Sequence, residues 1–299
     1  MILLLGFSAM MQKHTKIFIL VLMLGLFLSS CVKMALRFSP SLISNFTETL
    51  FEECDTELAK YSLPADLKLL EGLLKNDPTN RQLLTSLCMG FAGYAMLFIE
   101  EEDPQRASDL YLRARKYGLL AIGDGSPVLK ESGANSEEAR EMLSGLGIEA
   151  MEPLFWTALS WNAWINLNLD KPHALAQVGI AQAILDRVLQ INPEYLYGSP
   201  YVLMGSLLSA RPEILGGSPS QAKKYFEKAM NLSHGEFFLV HYYFAKYYAV
   251  RIQDKNLFLR LMREVDNASP SELKQVCLIN AVMKQKAQAL IERCEDMFF

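Results

Sequence analysis

The sequence predicts an all-α fold: an α-solenoid of degenerate helix pairs with a C-terminal capping helix. Three observations carry that expectation. Apolar residues recur at helical spacing through most of the chain, and no segment alternates with period two for long. The 12 prolines and 17 glycines fall mostly between these periodic segments, where helices end. One unit is also spelled out over residues 216–232, GGSPSQAKKYFEKAMNL. There Ser218 reads as an N-cap, Pro219 as the first helical residue and Gln221 as its capping-box partner. Ala222-x3-Phe226-x2-Ala229 then sets small residues where a neighbouring helix approaches and a ring in the groove between them, with Lys223, Lys224, Glu227 and Lys228 off that stripe.

The order Ala222-Phe226-Ala229 is the second-helix signature of a tetratricopeptide repeat. The rest of the chain reads as degenerate copies behind an N-terminal leader. Lys13 and Lys16 precede an apolar run over 17–28, which is short for a membrane span of roughly 20 residues and fits a secretory signal. Leu28-Ser29-Ser30-Cys31 resembles a bacterial lipobox, which implies cleavage before Cys31 and acylation of that residue. Residues 1–30 are then a lipoprotein signal peptide, 31–40 a lipidated tether, and 41–299 the helical-repeat domain. Val32 after the cysteine resembles outer-membrane sorting, on the periplasmic face.

Residues 41–60 predict a first helix, with Leu42, Phe46, Leu50 and Leu58 apolar. Pro64 stands near the start of a second, striped by Leu67, Leu70, Leu73 and Leu74 and closed by Asn76-Asp77-Pro78-Thr79-Asn80. Two repeat registers fit residues 81–100, which predicts one helix two turns longer than the standard unit, roughly 30 Å. Asp103-Pro104 caps its partner, where Ala107-x3-Tyr111-x2-Ala114 repeats the signature. Residues 122–151, broken by Gly123, Gly125, Pro127, Gly133, Gly145 and Gly147, read as an insertion with a short helix over 136–143. Pro153 begins a helix carrying Trp156, Trp161 and Trp164, and a helix over 174–190 follows. Tyr201, Met204, Gly205 and Leu208 mark the first helix of the 216–232 unit. Residues 237–250 are apolar nearly all round and therefore central; 257–265 pair with them. Ser269-Pro270-Ser271-Glu272 is a second capping box, opening a closing helix with Val276, Met283, Ala287, Leu290 and Ile291 on one face.

The lipobox, LPADLKLLEGLLKNDPTN, FWTALSWNAW, YLYGSP and RPEILGGSPSQAKKYFEKAMNLS resemble, in order, the T-component lipoproteins of TRAP (tripartite ATP-independent periplasmic) transporters, the TatT family. The resemblance implies an all-helical repeat fold anchored in the periplasm. It also implies a groove or pore in each subunit, a homotrimer, and partnership with the transporter's solute-binding protein. The alternative reading is a general helical-repeat scaffold lipoprotein for cell-envelope assembly.

Composition and motifs narrow the chemistry. A chain 51% hydrophobic can bury a sizeable core. A net charge of −4 with no basic run excludes a nucleic-acid binder of the usual electrostatic kind. No H-E-x-x-H, G-x-S-x-G, G-x-x-x-x-G-K or paired C-x-x-C occurs, so neither an enzyme nor a cofactor is expected. Gly216-Gly217-Ser218 reads as a helix-start turn rather than an anion loop. His173, His234 and His241 are isolated from one another, as structural or surface histidines rather than metal ligands. Cysteines are too scattered for a disulfide framework. A Cys54–Cys88 pairing is geometrically open, and buried free thiols are the expected state of the four beyond Cys31. The candidate ligand or partner site is aromatic: Trp156, Trp161 and Trp164 with Tyr195, Tyr197, His241 and Tyr242, and Arg211 to meet the carboxylate of an organic acid. The other assignment for these rings is core packing with satisfied hydroxyls, and for Arg211, in the long 210–217 turn, a loop arginine in water; a hydrophobic ligand is the alternative to the organic acid.

Overall fold

The computed structural model describes residues 40–123 and 136–298. Cys31, the signal segment and most of the glycine-rich part of the insertion lie outside them. Among the described residues every regular element is helical, and the fold is all-α. The helices are α1 (Pro40–Phe51), α2 (Thr56–Leu74), α3 (Arg81–Tyr94), α4 (Pro104–Ile122), α5 (Ser136–Ser144), α6 (Met151–Asn166), α7 (Pro172–Leu175), α8 (Val178–Ile191), α9 (Tyr195–Ala210), α10 (Pro219–Leu232), α11 (Phe238–Tyr243), α12 (Lys255–Asn267), α13 (Cys277–Glu292) and α14 (Cys294–Met297).

Local chemistry explains most boundaries. Asn80 caps α3 by accepting from the Leu83 N–H, and Asp103 caps α4 through the Arg106 N–H with Pro104 at the first turn. The Ser269–Glu272 capping box forms both of its bonds, although it opens a 3₁₀ run, Pro270–Val276, ahead of α13. Ser218 sits at the N-cap of α10 but makes no capping bond there; its hydroxyl lies 3.4 Å from that of Ser220. The first helix expected over 41–60 is two helices. Asp55 accepts from the Glu57 and Leu58 N–H groups and starts α2 afresh, leaving Pro64 inside α2 rather than at its start. Leu42 and Leu58 are consequently exposed, while Ile43, Ala59 and Leu63 are buried. The helix expected over 174–190 divides at Ala176-Gln177 into α7 and α8.

Packing follows the repeat pattern. Helix α3 packs on α4, α4 on α6, α6 on α8, α9 on α10, and α11 with its continuation on α12. Ala222, Phe226 and Ala229 are fully buried, as are Ala107, Tyr111 and Ala114. Two close approaches require glycine. A Cβ on Gly118 would stand 2.0 Å from the Thr157 hydroxyl oxygen, and one on Gly217 would stand 1.9 Å from the Arg211 carbonyl oxygen. Residues Arg81–Ile99 are long and apolar enough to cross a bilayer, but 78% of that stretch is buried by neighbouring helices, as for a core helix.

The closing helix does more than end the array. Helix α13 returns to α1, α2 and the Ala95–Ile99 segment that follows α3. Gln285 donates to the Thr56 hydroxyl at 2.9 Å, Lys286 to the Met96 carbonyl at 3.1 Å, and Lys274 pairs with Glu52 at 2.8 Å. Cys54 is disulfide-bonded to Cys277, with Cα atoms 5.1 Å apart. The expectation of four free thiols and the open Cys54–Cys88 pairing are thereby corrected: Cys88 and Cys294 are free and buried, and the bond joins the two ends of the helical array. It escaped the sequence because its partners are 223 residues apart and meet only when the last helix closes on the first.

Candidate functional site

Two helices change pitch at the centre of the molecule. Helix α3 continues through a π-helical turn at Ala95–Ile99, and α11 through one at Phe244–Ala249. A π-turn inserts a residue into the helical phase and re-aims the side chains that follow. In α3 it delivers Glu100 and Glu101. In α11 it leaves Tyr243 and Tyr247 stacked, with ring centroids 5.4 Å apart and planes 6° from parallel. Glu101 ties the two segments together. It accepts from the Tyr242 hydroxyl at 2.6 Å and pairs with Lys246 at 2.9 Å, with Lys286 at 3.6 Å. Burial alone would raise the Glu101 carboxyl, but the two ammoniums and the Tyr242 hydroxyl outweigh it and hold it at about 2.

Beside this tie lies a chamber of about 70 Å³ between α4, α6, α9 and α11. Its walls carry Tyr111, Phe155, Tyr243 and Tyr247, with Leu159, Ala163, Val202 and Leu203 as an apolar floor. Glu100 reaches into the chamber and accepts a hydrogen bond from the buried Tyr111 hydroxyl. The Asn166 side-chain carbonyl oxygen, also on the lining, is buried with no hydrogen-bond partner among the described residues. Burial raises the Tyr243 and Tyr247 phenols well above their ordinary value, and the Glu100 charge adds to it, so both stay protonated hydrogen-bond donors.

A second chamber of about 50 Å³ is almost wholly apolar. Helix α1 lines it with Phe46 and Leu50, α2 with Leu63 and Leu67, α6 with Trp156 and α13 with Leu278. Met96, in the π-turn of α3, lines both chambers, and the adjacent rings of Phe155 and Trp156 face one each.

The residues singled out in the sequence do not share one groove. Trp156 faces the apolar chamber and donates to the Tyr195 hydroxyl at 3.3 Å. Trp161 and Trp164 lie on the far side of α6, where the Arg115 guanidinium sits 4.6 and 5.0 Å from their ring centres and Trp161 donates to Gln177. Burial lowers the Arg115 guanidinium to about 10. Tyr195 and Tyr197 line an open groove beside α1 and α3. Tyr197, with Leu196 and Gly198, takes a left-handed backbone that prefixes α9, so the YLYGSP stretch is a turn before the helix proper. Arg211 is buried rather than solvated. It donates to Gln182 at 2.9 Å and to Asn162 at 2.8 Å, pinning the long 210–217 turn to α6 and α8. His241 is buried, with Nε2 3.3 Å from Glu264, and Tyr242 is held by Glu101.

Sequence reasoning did not name Glu100, Tyr111, Phe155 or Asn166 as site residues. The available signal was an apolar helix running straight into Glu100-Glu101-Glu102-Asp103 beside a tyrosine-rich helix. An acidic run at a helix end ordinarily marks solvent, and only the π-turn directs its first carboxylate inward.

Comparison with known proteins places the chain. An uncharacterized protein of Treponema pallidum (strain Nichols) is 26% identical over 200 residues, a stretch covering 62% of this chain and 62% of that protein. Residues 52–298, from the end of α1 to the last described residue, match the model of the TRAP transporter T-component family, and the chain belongs to that family.

Proposed function

We propose that the chain is a non-catalytic accessory of a TRAP transporter, exported as a lipoprotein and held through acylated Cys31 on the periplasmic face of a bacterial outer membrane. It associates there, as a homotrimer, with the transporter's solute-binding protein and takes that protein's ligand, or a hydrophobic ligand, into the central chamber. The observation that carries this reading is the paired chambers inside a closed ring of helices, with aromatic walls contributed by five different helices. The Cys54–Cys277 disulfide supports an oxidising compartment. Arg211, engaged by two amides, gives no support to an organic-acid ligand. The experiment is sedimentation velocity of the soluble chain beginning after Cys31, mixed with the solute-binding protein encoded beside it. A complex at micromolar concentration is expected. No complex at high micromolar concentration, with the binding protein either loaded or empty, would end the adaptor reading.

A further inference from the structure

We propose that the central chamber selects an organic cation, a protonated amine or quaternary ammonium on an apolar body. The proposal deepens the reading of this chamber as a ligand site and rests on it. Its first support is a carboxylate without a cation. Glu100 lines the chamber and is bonded to the Tyr111 hydroxyl, and among the described residues no lysine, arginine or histidine forms an ion pair with it. The two nearby ammoniums, Lys246 and Lys286, both pair with Glu101. Lys286, which also donates to the Met96 carbonyl, feels Glu100 only at longer range. A carboxylate facing an apolar cavity is costly unless a counter-charge meets it.

The second support is the wall. Tyr111, Phe155, Tyr243 and Tyr247 present rings to the same space. Aromatic faces carry negative potential and attract ammonium groups within about 6 Å, the arrangement used to recognise quaternary amines. The third is Asn166, whose buried carbonyl oxygen has no donor among the described residues and lines the same chamber. A carboxylate, an unpartnered carbonyl and π faces all ask for a positively charged or donating group, while Leu159, Val202 and Leu203 offer its apolar body a surface. An anionic ligand would meet Glu100 with like charge.

The test is calorimetric titration of the full chain and of its Glu100→Gln and Asn166→Leu variants with hexyltrimethylammonium, hexanol and hexanoate. These share a chain length and differ in head charge. Glu100→Gln keeps a carbonyl for the Tyr111 hydroxyl, and its melting temperature serves as the check of folding. The expected result is about tenfold tighter binding of the cation than of the alcohol, and weakest binding of the carboxylate. Glu100→Gln should remove the preference for the cation while leaving hexanol binding unchanged, and Asn166→Leu should weaken the cation severalfold. Hexanol or hexanoate binding as tightly as the cation would overturn the charge selectivity and leave the chamber a hydrophobic ligand site. A cation preference that survives intact in Glu100→Gln would also overturn it. Binding of none of the three would overturn both the selectivity and the chamber's role as a ligand site.

Discussion

Breaking the Cys54–Cys277 bond should loosen the whole molecule, not one end of it. The bonded residues are 223 apart, so the cross-link spans nearly the entire described chain. In the chain-entropy account, closing a loop of that length removes about 18 cal/mol/K from the denatured ensemble, or about 5 kcal/mol at 25 °C. Cross-links in real proteins reach about 2–5 kcal/mol, because denatured chains are already compact. The assay is urea denaturation of the soluble chain with and without reductant, and of Cys54→Ser, followed by circular dichroism. In parallel, thiols are counted in denaturant. Two thiols, Cys88 and Cys294, should react in the unfolded oxidised protein and four after reduction. Neither free thiol should react quickly in the native state, since both are buried and burial pushes the Cys88 thiol to about 12. Four reactive thiols in protein isolated without reductant, or identical urea midpoints in the two redox states, would refute the ring closed by this bond.

Three further outcomes follow from the packing, the charges and the leader. Phe226 is fully buried, with its ring 4.8 Å from that of Phe244, so Phe226→Ala should cost about 3–5 kcal/mol. Exposed Lys224→Ala should stay within about 0.5 kcal/mol, and equal melting temperatures would disprove the repeat register. Lys224 is a cleaner control than Lys228, which reaches over the Tyr201 and Tyr225 rings at 5.3 and 5.6 Å. The Glu101 carboxyl is depressed from 4.5 to about 2 in the folded state, so its contribution is present above pH 4.5 and is lost as pH falls toward 2. Wild type should therefore lose more stability across that window than Glu101→Gln, and parallel pH profiles would show that the tie between the π-turns contributes nothing. Cys31→Ala should abolish metabolic palmitate labelling and release the protein from membranes; labelling at wild-type level would remove the lipobox.

The repeat skeleton was legible because it depends on local patterns. Ala107-Tyr111-Ala114 and Ala222-Phe226-Ala229 fall on buried faces, and Asn80, Asp103 and Ser269 cap as their neighbours dictate. Features that depend on distant partners were not legible. Asp55 competes with Pro64 for the start of α2 and wins because its side chain satisfies two orphan N–H groups. The long turn at 210–217 reads as solvated, yet it buries Arg211 because Asn162 and Gln182 supply acceptors from two other helices. Asn280, on the closing helix, accepts from the Phe238 N–H and donates to the Glu236 carbonyl, setting the start of α11 from 42 and 44 residues away. The site itself was half visible. Tyrosines over 242–248 announced a polar aromatic helix, and Tyr243 and Tyr247, four residues apart, share the face that lines the chamber, but which face meets it is set by the distant helices packed around it.

The most direct test of the account compares loaded and empty solute-binding protein against wild type and against Leu203→Trp. Leu203 is half-buried on the chamber floor, and an indole there fills the space a ligand would need. Wild type should bind the loaded and empty forms with different affinities. Leu203→Trp, at an unchanged melting temperature, should bind both alike. A wild type indifferent to loading, or a filled chamber that discriminates as well as the open one, would contradict it.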